Sequence, residues 1–173
     1  YFPKPATRKK WFKFGKNSLL RRLQTLVGCM GFSPKAWGQF LWLNFWRRNS
    51  TASFRNLHVI IPTKYCVFDI HPSAKIVVKG TVQFGFSKVR GSKMESRLRM
   101  DENTTLQFND QMLLFADADI QIFPDGTLVF EGGPWSGVNI HCQITCADRI
   151  HIGRDTMLGR NVVLRDYDAH TII

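Results

Sequence analysis

Between Val138 and Ile173 the aliphatic residues recur every six positions. One column reads Ile140, Cys146, Ile152, Leu158 and Leu164; a companion two residues earlier reads Val138, Ile144, Ile150, Thr156 and Val162. A period of six is neither the 3.6 of a helix nor the plain alternation of a strand. It predicts short strands turned at regular corners, a β-solenoid whose columns face one shared core. The period also shows earlier, as Ile70, Ile76 and Val82, as Leu106, Met112 and Ala118, and as Phe108, Leu114 and Ile120. Residues 85–97, with Gly85, Gly91 and several basic residues, break it and read as a loop thrown out from a corner. It slips again at Pro124-Asp125-Gly126 and across Glu131–Gly137. With three hexads to a coil, the chain supports roughly five coils, above the three or so that a solenoid needs.

Within the last run stand Ile152-Gly153-Arg154-Asp155-Thr156-Met157 and Leu158-Gly159-Arg160-Asn161-Val162-Val163, then Asn161-Val162-Val163-Leu164-Arg165-Asp166-Tyr167-Asp168-Ala169-His170. These residues resemble the hexapeptide-repeat acyltransferases, and the tail is similar to the Asn-Val-x-(aliphatic)-x-Asp-x-Asp-x-His stretch of the sugar and polysaccharide O-acetyltransferases among them. The resemblance implies a left-handed parallel β-helix, a homotrimer with active sites between neighbouring solenoids, acetyl-CoA as donor, a saccharide hydroxyl as acceptor and His170 as catalytic base. Imidazole titrates near neutrality, which suits it to take a proton from an attacking hydroxyl. Asp166 and Asp168 are the nearest acids. Counting three hexads back from Asp166 puts Asp148 beneath it and favours corner hydrogen bonding there, so Asp168, on the companion inward column, is the preferred partner to orient His170. Tyr167, Trp135 and the basic loop 88–99 are candidates to line an acceptor groove.

Zinc is not expected. The trimeric carbonic anhydrases that share this solenoid bind it through histidines that include a pair five residues apart, whereas His141 and His151 are ten apart. Cys29, Cys66, Cys142 and Cys146 show no Cys-x-x-Cys or zinc spacing, which leaves them reduced and structural and makes the cytoplasm the default compartment. Family members usually continue with further coils that serve donor binding, and here three residues follow His170. The expectation is a fragment, or alternatively a shortened, non-catalytic binding or assembly module or a membrane-surface scaffold.

Charge divides the chain. Residues 1–68 hold 13 Lys and Arg and no acid, and 12 of the 22 aromatic residues lie between Tyr1 and Phe54. This predicts a basic, aromatic helical extension over 1–58 ahead of a β-helix domain over 59–173. Within it, residues 1–16 form an arm, a first helix starts at Asn17 or Ser18 with Gly28 and Gly31 marking its end, and a second covers 34–48, capped by Ser33-Pro34 and ended by Arg47-Arg48 facing its dipole. An extended lead-in, interrupted by Pro62, brings the chain to a solenoid that starts near residue 65. The extension caps the open end of the solenoid or rests peripherally on an anionic membrane. Nucleic acid is disfavoured because no recognition motif is present, and no stretch reaches the roughly 20 apolar residues of a membrane span.

Overall fold

The computed structural model describes residues 19–88 and 90–168. Helix α1 (Leu19–Met30) runs through Gly28, the first of the two predicted end markers, and is closed by the second, Gly31, whose φ of +59° is the left-handed conformation open to glycine. Helix α2 (Pro34–Leu41) begins as predicted, with the Ser33 hydroxyl accepting the Ala36 N–H at 3.4 Å and Pro at the first position. It is shorter than the predicted 34–48. A π-helical turn, Trp42–Trp46, follows, and Arg47 is extended. Arg47 therefore does not face a helix dipole; its guanidinium donates to the carbonyls of His71 at 2.5 Å and Ala74 at 2.7 Å.

Fourteen short strands then follow. β1 (Ile60–Pro62), β2 (Cys66–Ile70) and β3 (Lys75–Val78) make one circuit; β4 (Val82–Phe86), β5 (Ser96–Met100) and β6 (Thr105–Phe108) a second; β7 (Met112–Phe115), β8 (Asp119–Ile122) and β9 (Thr127–Phe130) a third. A fourth comprises β10 (Gly137–Val138), β11 (Gln143–Cys146) and β12 (Arg149–Ile152), and β13 (Met157–Leu158) and β14 (Val163–Arg165) open a fifth. Every third strand joins the same parallel sheet: β1-β4-β7-β10-β13 is sheet I, β2-β5-β8-β11-β14 sheet II and β3-β6-β9-β12 sheet III. Three parallel sheets visited in turn are consistent with a β-helix-like solenoid. The first strand lies earlier than the predicted start near residue 65, because Pro62 ends an edge strand, where its missing N–H leaves no ladder bond unmade.

The circuits are longer than three hexads. Ile60 pairs with Val82 and Leu98 with Ile120, 22 residues apart. Leu114 pairs with Val138, 24 apart, and Cys66 with Ser96, 30 apart, because the loop 87–95 is inserted in that circuit. The last are the tightest, Val138 with Leu158 and Ile144 with Leu164, 20 apart. The excess lies in the corners, and it moves the columns. From Ile150 the step to Leu158 is eight residues, so Leu158 and Leu164 continue the column of Val138 and Ile144, while Thr156 and Val162 fall outside the strands.

Inward residues form one core, from Ile60, Ile76 and Phe84 through Leu98, Leu106, Leu114 and Ile120 to Ile144 and Ile152, each at most 7% exposed. Phe108 and Phe130 stack within it, ring planes 7° apart. At the sheet I to sheet II corner, Ser87, Asp117, His141 and Asn161 of successive circuits all have φ between 57° and 63°. Repeated left-handed positions explain Asp and Asn at these corners, since their short polar side chains tolerate that backbone best among non-glycine residues.

The extension closes the first end of the stacked circuits. Leu43, fully buried, belongs to the same core as the strands, while Leu26, Met30, Ala36 and Phe40 pack with Leu57, Val59 and Ile61 over β1. It hydrogen-bonds to all three exposed edges of the first circuit. On β1 the Asn44 side chain accepts the Ile60 N–H and donates to the Ile60 carbonyl, both at 2.8 Å, as a neighbouring strand would. On the β2 side Gln39 Nε2 donates to the Cys66 carbonyl at 3.0 Å, and Arg47 holds the carbonyls that follow. Along β3 the Asn49 carbonyl accepts the Ile76 N–H and the Thr51 N–H returns to the Ile76 carbonyl. An open parallel edge would invite pairing with another chain, and this cap removes it.

Candidate functional site

The stretch that carries the predicted site leaves β14 at the sheet II to sheet III corner, and Asp166 fastens it there. One carboxylate oxygen accepts the Ala147 N–H at 2.6 Å; the other accepts the Asp148 N–H at 2.9 Å and faces the Cys146 thiol at 3.5 Å. Burial pushes the Asp166 carboxyl up, but the two amides and the thiol outweigh it and hold the group below the usual carboxylate range. Burial and this same carboxylate push the Cys146 thiol up to about 11, so it stays protonated at neutral pH and acts as a small apolar residue. Asp148 does not stack beneath Asp166 as the hexad count predicts. Leu164 and Arg165 pair with Ile144 and Thr145, which puts Asp166 in line with Cys146, and Asp148 is reached through its backbone alone.

Asp168, predicted on an inward column, is exposed. The eight-residue step after Ile150 takes it out of phase with the core. His170, the predicted base, lies outside the described residues. Asp168 is thus delivered to the outer side of a corner whose approach is fixed by Asp166. Lower on the same corner is a shallow cleft of about 400 Å³, lined by Asp69, His71, Pro72, Asp101, Glu102 and Pro124 among others.

Two clusters of side chains escaped the sequence reading. At the sheet I to sheet II corner, the loop 87–95 is pinned by Asp117, whose side chain is fully buried and accepts Lys88 Nζ at 2.9 Å and the Ser92 hydroxyl at 2.7 Å. Burial raises the Asp117 pKa, and the hydrogen bonds from Lys88 and Ser92 with the Lys88 charge outweigh this, leaving the group below its ordinary value. At the sheet III to sheet I corner, Gln107 donates to Asn109, Asn109 donates to Glu131 at 3.1 Å, and His151 Nε2 lies 2.8 Å from the same Glu131 oxygen. His151 pairs with Val129, and Glu131 stands two residues further on, a diagonal neighbour across strands. A count of 22 residues per circuit exposes that pairing; a count of 18 hides it.

The three candidates for an acceptor groove are not brought together within one chain. Of the basic segment 88–99, the part before Ser96 is loop and leaves the sheet I to sheet II corner, whereas 96–99 belongs to β5; Trp135 lies between β9 and β10, and Tyr167 packs edge-on against Phe123 at the sheet II to sheet III corner, 5.4 Å between centroids. All four cysteines are free. Among the described residues no group of three or more His, Cys, Asp or Glu is placed to hold a metal ion, and no helix is long and apolar enough to cross a membrane. No protein-family model, no curated protein and no solved structure matches the chain.

Proposed function

We propose that the chain is a left-handed parallel β-helix of the hexapeptide-repeat acyltransferase class that transfers an acetyl group from acetyl-CoA to a hydroxyl of a cell-surface or capsular saccharide. In this reading it works as a homotrimer, with each site between neighbouring solenoids, and acts in the cytoplasm, in keeping with four free thiols. The observation that carries it is the tail Asn161–His170, which matches the acetyltransferase pattern and is fastened by Asp166 to a rigid corner just before Asp168-Ala169-His170. A catalytic base must be held where the reacting hydroxyl will be, and a fastened corner of a parallel solenoid is such a mount.

His170 takes the proton of the acceptor hydroxyl as its oxygen attacks the thioester carbonyl. Backbone N–H groups of a neighbouring coil stabilise the oxyanion, each donor contributing about 2.7–4 kcal/mol to the barrier reduction. The thiolate of CoA then leaves and recovers the proton from the imidazolium, so that the products are the acetyl ester and free CoA thiol. Asp168 orients the ring and supports its positive charge. A hydroxyl acceptor requires no metal in this scheme.

His151 with Glu131 is a second carboxylate-held imidazole, and it sets the control. The test incubates the protein with acetyl-CoA and a panel of hydroxyl-bearing saccharides, following thiol release and the mass of the saccharide. Acceptor-dependent thiol release with a mass gain of one acetyl group is the expected result, abolished in His170→Ala and retained in His151→Ala. The reverse pattern moves the base to His151. No transfer to any acceptor, with the thioester left intact, leaves a binding or assembly module.

A further inference from the structure

We infer that the outer face of the N-terminal cap is a docking surface for an anionic lipid bilayer. The cap uses only one side of each helical element to close the solenoid. On α1, Leu26 and Met30, one turn apart, are buried, while Leu23 and Val27, the adjacent row, are 42% and 40% exposed. On α2 and the π-helical turn, Ala36, Phe40 and Leu43 are buried, while Leu41 and Phe45 are 38% and 45% exposed. Phe32 in the turn between the helices is 96% exposed and Trp46 at the end of the run is 70% exposed. Six of the eleven exposed large hydrophobic residues thus fall between Leu23 and Trp46, a small part of the described chain. Single exposed apolar residues are ordinary, but six concentrated on one end of the molecule point to a partner.

Charge decides which partner. The first acid in the chain is Asp69, and the preceding residues carry 13 Lys and Arg. Some of this charge is committed: Arg47 is tied to backbone carbonyls and Lys35 lies 3.6 Å from Glu95. Arg48, Arg55 and Lys64 are exposed on the same end of the molecule. Large aromatic side chains beside uncompensated cations fit the interface of an anionic membrane, where Trp and Phe settle at headgroup depth and each cation gains attraction to the surface. A protein partner for so basic a face would have to be acidic. Nucleic acid would use the cations without explaining Leu23, Val27, Phe32 and Leu41. Docking at this end leaves the later circuits and the tail directed away from the bilayer end of the solenoid.

The experiment is flotation of the full chain with vesicles of phosphatidylcholine alone and of phosphatidylcholine with phosphatidylglycerol, at low and high salt. Binding is expected only to the anionic vesicles and is weakened by salt. Arg48→Glu with Arg55→Glu should reduce it by about fivefold or more for each charge. Phe32→Ser with Trp46→Ser, both exposed, should weaken it at either salt while the thermal transition stays in place. Equal binding to neutral and anionic vesicles, no binding to either, or binding indifferent to both pairs of substitutions overturns the proposal. So does binding of an RNA oligomer in place of the anionic vesicles.

Discussion

Asp166 does more for the proposed site than its place in the sequence pattern suggests, because its carboxylate takes over where the ladder ends with β14. Asp166→Ala leaves the Ala147 and Asp148 N–H groups without their acceptor beside a buried thiol, at a cost of about 1–3 kcal/mol. The expected readout is faster amide exchange at those two positions together with a lower thermal midpoint; unchanged protection there would mean that the tail is held by other groups. Asp117, Asp119 and Asp166 share a pKa below the carboxylate norm of the unfolded chain. Their contribution to stability is complete above the unfolded value near pH 4 and is lost as pH falls through the lower folded values. Stability of the parent should therefore decline below about pH 4, and Asp117→Asn should flatten that decline while lowering stability at neutral pH. An acid transition unaffected by Asp117→Asn would show that this carboxylate carries no proton linkage.

At the scale of elements, the strands were legible and their corners were not. Alternating aliphatic residues mark β6, β8, β11 and β12 in the sequence because each inward residue meets a like residue above and below. Corners differ in length because each is closed by its own local bonds: Asp117 and its inserted loop at one, Asp125-Gly126 at another, the step from Ile152 to Leu158 at a third. A strict count of six therefore placed Asp168 inward and Asp148 under Asp166, when the register put Asp168 outside and Cys146 in line. The cap shows the same division. Ser33-Pro34 announces the start of α2, but the change to a π-helical turn at Trp42, within which Asn44 pairs with Ile60, has no signal in the sequence. Two substitutions test these elements. Gly80→Ala would place a methyl 2.3 Å from the Asp110 backbone, so adjacent circuits must separate there; a loss of soluble protein or a much lower thermal midpoint is expected, and parental stability would contradict the stacking. Asn44→Leu removes both pairings to the β1 edge and leaves buried backbone groups unpaired, at about 2–4 kcal/mol in all, read by chemical denaturation.

For the molecule as a whole, three parallel sheets joined strand by strand stay in register from the first circuit to the last described one. The first circuit carries the basic helical cap, and the last described one leads into the proposed site. The six-residue period marks the parallel strands in the sequence, and the tail pattern supplies the functional expectation. The polar pair His151 and Glu131 could not be read because it depends on circuit length, and the cap's role depended on contacts between residues far apart in the chain. In the proposed reaction His170 is the general base for acetyl transfer. This role is tested most directly by the turnover of His170→Ala relative to the parent, with acetyl-CoA affinity measured separately on both proteins. A fall of about 10²–10⁴-fold with folding and donor affinity unchanged is the predicted result, since imidazole acts only as the hydroxyl proton leaves. Full turnover by His170→Ala with the donor bound would contradict it.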